Sequence, residues 1–164
     1  MRVTFKRAGN WNRVGMIVNG MSRRTYQQFF DTEFRAMIND YLRRVKRHIS
    51  AQDLDWIPLA ESTVRKKGDS RAWDDSGYFK DHLTMTEKKV GFVFRRFFAG
   101  AIKGDIHEPS GLPMSVLANM LEYGYRHIPA RPLFGPTLER LIMAWRPLFA
   151  SMQIRVVNKM RVGI

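Results

Sequence analysis

Acidic and lysine side chains in the middle of the chain have an order that could support metal-dependent hydrolysis. Asp74 or Asp75 is followed by Glu87 and Lys89, and two acids followed by a lysine are typical of metal-dependent nucleases. In such sites the carboxylates bind Mg²⁺ and the lysine assists the attacking water. The side chains must then lie on strands and face the same way, whereas Glu87-Lys88-Lys89 is typical of a solvent-exposed hairpin turn. A metal-dependent nuclease is therefore an alternative function, and not the favoured one.

The histidines and the turn serine do not predict another kind of active site. No two of the four histidines are four residues apart, so no helical metal pair is expected. His107-Glu108, and Glu122 with His127, each lack a third ligand. Ser76 lacks the Gly-x-Ser-x-Gly context of a serine nucleophile. The chain has no cysteine, which excludes disulfides and thiolate sites.

The charge balance is strongly basic. Lys and Arg number 28 against 15 Asp and Glu, for a net charge of +13. The excess lies in residues 1–50 and 109–164, whereas residues 51–108 carry as many acidic as basic side chains. A basic surface attracts nucleic-acid phosphates or an acidic protein surface. The candidate basic face lies near the end of the first long helix and comprises Arg43, Arg44, Lys46 and Arg47.

A long amphipathic helix is the strongest structural pattern. Ser22 is a suitable N-cap, and apolar residues then recur every three or four positions over about seven turns. They are Tyr26, Phe30, Phe34, Met37, Tyr41, Val45 and Ile49. Burial of one helix face requires this spacing. We therefore interpret the aromatic residues of this stripe as core residues rather than as a stacking platform for nucleic-acid bases.

Short elements and turns follow the long helix. Ser62 or Thr63 is expected to cap a short helix that ends at Gly68. Beyond the predicted turn at Glu87, apolar residues alternate as in a strand: Val90, Phe92 and Phe94. A further extended segment is expected over residues 97–102.

The C-terminal third predicts two helices and a strand. Pro113 opens one helix, which Gly124 closes. Pro136 starts the last helix, and Ile154-Arg155-Val156-Val157 favours a closing strand. The prolines between the helices hold residues 128–132 extended.

These patterns together predict an α+β fold. One long N-terminal helix and a later helix pack on a small, mainly antiparallel sheet. Residues 1–21 form an N-terminal β arm or hairpin, and residues 22–164 form a single domain. No apolar run approaches the ~18 residues of a membrane helix, so no membrane partner is expected.

Several motifs also follow one another in a characteristic order. They are Trp56-x-Pro58-Leu59, Ser62-Thr63 with Lys66-Lys67, Asp75-Ser76-Gly77-Tyr78, Leu121-Glu122-Tyr123-Gly124 and Ile128-Pro129-Ala130-Arg131-Pro132-Leu133-Phe134. In this order they resemble the neck and tail-completion proteins of tailed bacteriophages, over residues 22–150. The Ile-Pro-Ala-Arg-Pro box after Glu-Tyr-Gly is the most specific part. That family has a histidine where Leu121 stands.

The resemblance implies a structural virion subunit without catalysis. Such a subunit forms a closed ring, six- or twelve-fold, that joins the DNA-filled head to the tail. The implied partners are the adjacent head-tail connector, the tail tube or tail terminator protein, and genomic DNA that passes non-specifically through the lumen. The implied location is the virion neck, after synthesis in the bacterial host cytoplasm. The candidate assembly interface comprises Glu122, Tyr123, Gly124, Ile128, Pro129, Arg131, Pro132 and Phe134.

The sequence does not decide which group the Arg131 side chain binds. Its guanidinium could fork onto a carboxylate of its own subunit or of a neighbour, and Glu122 is one candidate. A basic nucleic-acid-binding module of a phage or mobile element is a further alternative function.

Overall fold

The computed structural model describes residues 23–74, 76–90, 94–101 and 104–162. The predicted N-terminal arm and the Ser22 cap lie outside these ranges. The fold is α+β, as predicted. In chain order its elements are α1 (Arg23–Ala51), α2 (Glu61–Lys67), α3 (Tyr78–Asp81), β1 (Leu83–Val90), β2 (Phe94–Ala101), β3 (Ile106–His107), β4 (Leu112–Pro113), α4 (Met114–Tyr123) and α5 (Phe134–Val162).

The long helix α1 supplies the centre of the core. Met37, Tyr41, Val45 and Ile49 are buried at successive four-residue steps, which confirms the predicted stripe over this part of the helix. Tyr26 and Phe30 lie outside the described side chains. Helix α1 packs along α5 and across both strands of the β1–β2 hairpin, so its apolar face is covered by two different elements.

The hairpin differs from the sequence-based prediction. Strands β1 and β2 pair antiparallel from Leu83 opposite Ala101 to Val90 opposite Phe94. The prediction of an exposed turn at Glu87-Lys88-Lys89 is therefore wrong, because all three residues belong to β1. The charged run can form a strand because Glu87, which faces α1, is paired with Arg35, whereas Lys88 faces solvent.

The last helix is longer than predicted at both ends. Helix α5 begins at Phe134, two residues before Pro136, and continues to Val162 with Pro147 inside it. The predicted closing strand at Ile154 to Val157 is wrong, because this segment is helical. β-branched residues lower helix propensity by only a fraction of a kcal/mol, so they do not stop a helix that is already formed. Helix α5 packs on α1 before this segment, where the Phe34 and Phe149 rings lie 5.6 Å apart.

The shorter helices begin and end close to their predicted positions. Helix α2 begins after Ala60 and has no side-chain cap, so the expected cap by Ser62 or Thr63 is wrong. Gly68 ends α2 in the left-handed conformation, as predicted, and Gly124 ends α4. Strands β3 and β4 form a second, two-residue antiparallel pair ahead of α4. Within the described ranges, no helix combines the length and apolarity needed to cross a membrane.

Candidate assembly site

Most of the predicted interface residues lie in the connection between α4 and α5. Its first part is a tight turn in which Tyr125 and Ile128 exchange two backbone hydrogen bonds of 3.0 and 2.8 Å. Arg126 stands inside this turn with φ of 51°. We call residues 124–130 the connecting turn. The contacts beneath it determine how firmly it is held.

Glu122 joins the end of α4 to the start of α5. Its carboxylate is 8% exposed and accepts backbone N–H bonds from Leu133 at 2.7 Å, Phe134 at 3.0 Å and Gly135 at 2.9 Å. The first N–H groups of a helix have no partner within the helix, and the helix dipole favours negative charge there. Glu122 therefore caps α5 from outside, which explains why α5 starts before Pro136.

Arg131 is 3% exposed and bonds to main-chain carbonyls of its own subunit. Its Nε donates to the Ile57 carbonyl at 2.8 Å, and Nη2 donates to the Pro58 carbonyl at 3.1 Å. Its backbone N–H donates to Leu121 at 2.7 Å. Burial lowers the pKa of Arg131 from its usual value. The suggested pairing with Glu122 is wrong, because the Glu122 carboxylate is occupied by the N-terminus of α5.

Two tryptophans bind the same extended segment. Trp56 Nε1 donates to the Pro132 carbonyl at 2.7 Å, and Trp73 Nε1 donates to the Arg131 carbonyl at 2.9 Å. The Trp-x-Pro-Leu and Ile-Pro-Ala-Arg-Pro motifs are thus parts of one contact, although more than seventy residues separate them. Sequence reasoning singled out both motifs and missed Trp73. The sequence feature that could have identified Trp73 is a large aromatic residue directly before the turn at Asp74.

The predicted interface residues divide into a buried support and an exposed surface. Besides Glu122 and Arg131, Phe134 belongs to the support, because it packs on the core with its ring edge-on to Trp73 at 5.6 Å. The exposed surface consists of Tyr123 (78% exposed), Tyr125 (47%) and Ile128 (37%). We call these three residues the aromatic edge. Tyr125 was not among the predicted residues.

The connecting turn also depends on Gly124. Its φ is +79°, and a Cβ there would lie 3.0 Å from the Ala130 nitrogen and 3.1 Å from the Ile128 oxygen. Both neighbours are backbone atoms and cannot rotate away. The close approach holds the turn against the end of α4.

The predicted basic face is partly neutralised within its own helix. Arg43 and Arg44 both form ion pairs with Asp40, and the Arg44 Nε lies 3.1 Å from its carboxylate. Burial alone would raise the pKa of Asp40, but the hydrogen bonds and charges of these arginines lower it below its usual value. Arg47 is exposed and Lys46 is half-buried on the same helix.

The carboxylates of the nuclease alternative are held by arginines of the chain. Glu87 forms an ion pair with Arg35. Asp74 is buried, accepts the Gly77 N–H at 3.1 Å and lies 3.0 Å from Arg71. Asp75 and the Lys89 side chain lie outside the described part of the chain. Among the residues that the structure describes, no group of three or more His, Asp or Glu side chains is placed to hold a metal ion.

Comparisons of the chain with protein-family models, with curated proteins and with solved structures found no match.

Proposed function

We propose that this chain is a structural subunit of the head-to-tail interface of a tailed bacteriophage, a neck or tail-completion ring protein. The observation that carries the proposal is the aromatic edge, which lies at the end of α4 and on the connecting turn. Buried polar groups hold the adjoining residues 131–135. The resemblance described above supplies the class of virion protein. The geometry supports a contact surface at the segment where that resemblance is most specific.

The contacts of the connection between α4 and α5 favour a binding surface over a loop that only joins the two helices. A loop that only connects two helices does not require a buried arginine, a buried glutamate and two tryptophan N–H groups to hold its backbone. Large apolar side chains exposed on a rigid turn lose little conformational entropy when a partner covers them. Exposed aromatics that cluster on a surface mark interaction sites. The partner in this proposal is a neighbouring subunit or an adjacent ring.

Ring assembly is what the resemblance implies for this surface. Heterologous contacts between identical subunits close into a ring when the rotation between neighbours divides a full turn. In the proposed virion, the ring surrounds the DNA exit channel between the connector and the tail tube or tail terminator protein. A six- or twelve-fold ring matches the symmetry of such neighbours. The net charge of +13 suits a position around a DNA-filled lumen.

The proposal is tested by introducing a charge into the aromatic edge. Ile128→Asp places a carboxylate where a neighbour must exclude water, so we expect normally folded subunits but unjoined heads and tails in lysates of a phage carrying the variant. Electron microscopy of the lysate counts the unjoined particles, and circular dichroism of the purified variant checks its Tm.

Ile106→Asp is the matched control. Ile106 is 56% exposed in β3, away from the connecting turn in the chain, and the substitution adds the same charge. We expect joined particles with this control. Joined particles with Ile128→Asp at a wild-type Tm would contradict the proposed assembly surface.

A further inference from the structure

The outer end of the β1–β2 hairpin places like charges directly opposite each other. The strand register pairs Lys88 with Arg96, and the next pair is Lys89 with Arg95. Like charges at directly opposed positions destabilise a sheet. The Lys88–Arg96 pair therefore has an unfavourable energy that a bound polyanion would reverse. We call residues 88–90 and 94–96 the hairpin tip.

The single acidic residue of the hairpin does not face the Lys88–Arg96 pair. Glu87 is the only Asp or Glu between Leu83 and Ala101. Its side chain is 16% exposed and pairs with Arg35 of α1, on the face that also buries Leu83. Successive side chains of a strand point to opposite faces, so Lys88 lies on the other, outer face.

The outer face is exposed and carries positive and neutral groups. Lys88, Arg96, Thr86 and Phe98 are all exposed, and the register places Thr86 opposite Phe98 beside the charged pair. Neither Lys88 nor Arg96 forms an ion pair with another residue in the ranges that the structure describes. Arg43 and Arg44 of the predicted basic face share Asp40 instead. The hairpin tip is therefore the better candidate for binding an anion.

We propose that the outer face of the hairpin tip binds the sugar–phosphate backbone of duplex DNA. Lysine, arginine and threonine side chains are the groups that contact DNA phosphates. Such contacts carry no sequence information, which suits DNA that moves past the protein. The choice of duplex DNA rests on the proposed neck function, whereas the binding of phosphates rests on the hairpin alone.

The test measures binding of the full-length chain to a short fluorescent DNA duplex at several salt concentrations. Each phosphate contact adds about 0.9 to the slope of log affinity against log salt. Replacing both cations in Lys88→Ala/Arg96→Ala should therefore lower the slope by about 1.8. The control Arg65→Ala/Lys66→Ala removes two exposed charges from α2 and should leave the slope unchanged.

A single charge reversal separates DNA binding from sheet stability. Lys88→Glu turns the like-charged pair with Arg96 into an opposite-charged pair, so we expect a higher Tm together with weaker DNA binding. Weaker DNA binding at a higher Tm would show that the lost affinity does not come from unfolding of the hairpin.

Several results would overturn the proposal. Equal losses in the double variant and its α2 control would show an effect of net charge alone. Tighter binding of single-stranded DNA, lost in Phe98→Ala, would indicate a base-stacking surface instead. Wild-type DNA binding by Lys88→Ala/Arg96→Ala together with unjoined heads and tails would indicate an acidic protein partner. The neck function has a separate outcome, because a virion reconstruction that places the subunit away from the neck and tail end would refute it while leaving the DNA measurement intact.

Discussion

At the scale of single residues, Arg131 is the clearest case of a side chain that supports the fold from inside. Its guanidinium bonds to the carbonyls of Ile57 and Pro58, and Arg131→Ala would leave both without their donor. A hydrogen bond that involves a charged group contributes about 1.5–3 kcal/mol, so we expect Arg131→Ala to lower the free energy of unfolding by about 2–3 kcal/mol. Urea denaturation of the purified subunit measures this loss.

Two further variants sharpen the Arg131 prediction. Arg131→Lys should recover only part of the loss, because one ammonium cannot reproduce the fork that reaches two carbonyls. Arg140→Ala removes an exposed arginine of α5 and should change stability little. A subunit with Arg131→Ala that unfolds like the wild type would show that these internal bonds do not hold the connecting turn.

At the scale of elements, the connecting turn depends on the backbone at Gly124. Gly124→Ala forces a Cβ against two backbone atoms at 3.0 and 3.1 Å in a conformation that side chains rarely adopt. Strained backbone of this kind costs about 1–3 kcal/mol. We expect a lower Tm, measured by circular dichroism, and a displaced aromatic edge that fails in head–tail joining.

Gly68→Ala is the control for the left-handed backbone conformation without a close contact. Gly68 has a similar φ of +76°, and nothing lies within 4 Å of an added Cβ. Its substitution should therefore cost less stability than that of Gly124 and should leave joining intact. If both variants lose the same stability and still join heads to tails, the close approach at Gly124 has no role in assembly.

At the scale of the whole molecule, the prediction concerns symmetry. We expect a closed six- or twelve-fold ring in the virion, with six favoured for a ring that joins a twelve-fold portal to the tail, because heterologous surfaces close by rotation. The isolated subunit is expected to be monomeric, since the neighbouring rings supply the template. Native mass spectrometry of the purified protein and a reconstruction of the virion measure the two states. Density for the subunit away from the neck and tail end would contradict the assignment.

The sequence by itself determined those features that depend on neighbours along the chain. The stripe from Met37 to Ile49 follows helical periodicity, and Gly68 and Gly124 end helices because the required backbone suits glycine. The α+β class followed from these local patterns. The segment around Arg131 could also be chosen from its prolines and its arginine.

Only the tertiary structure decided which distant groups meet. Glu87 looked like a turn residue until strand pairing placed it in β1 opposite Phe97. The segment at Ile154 looked like a strand, but it continues the helix that begins at Phe134. Arg131 and Glu122 are neighbours in the predicted interface, yet each bonds to main-chain groups of other segments. A buried polar side chain must find its partners wherever the fold places them, and local sequence contains no record of that placement.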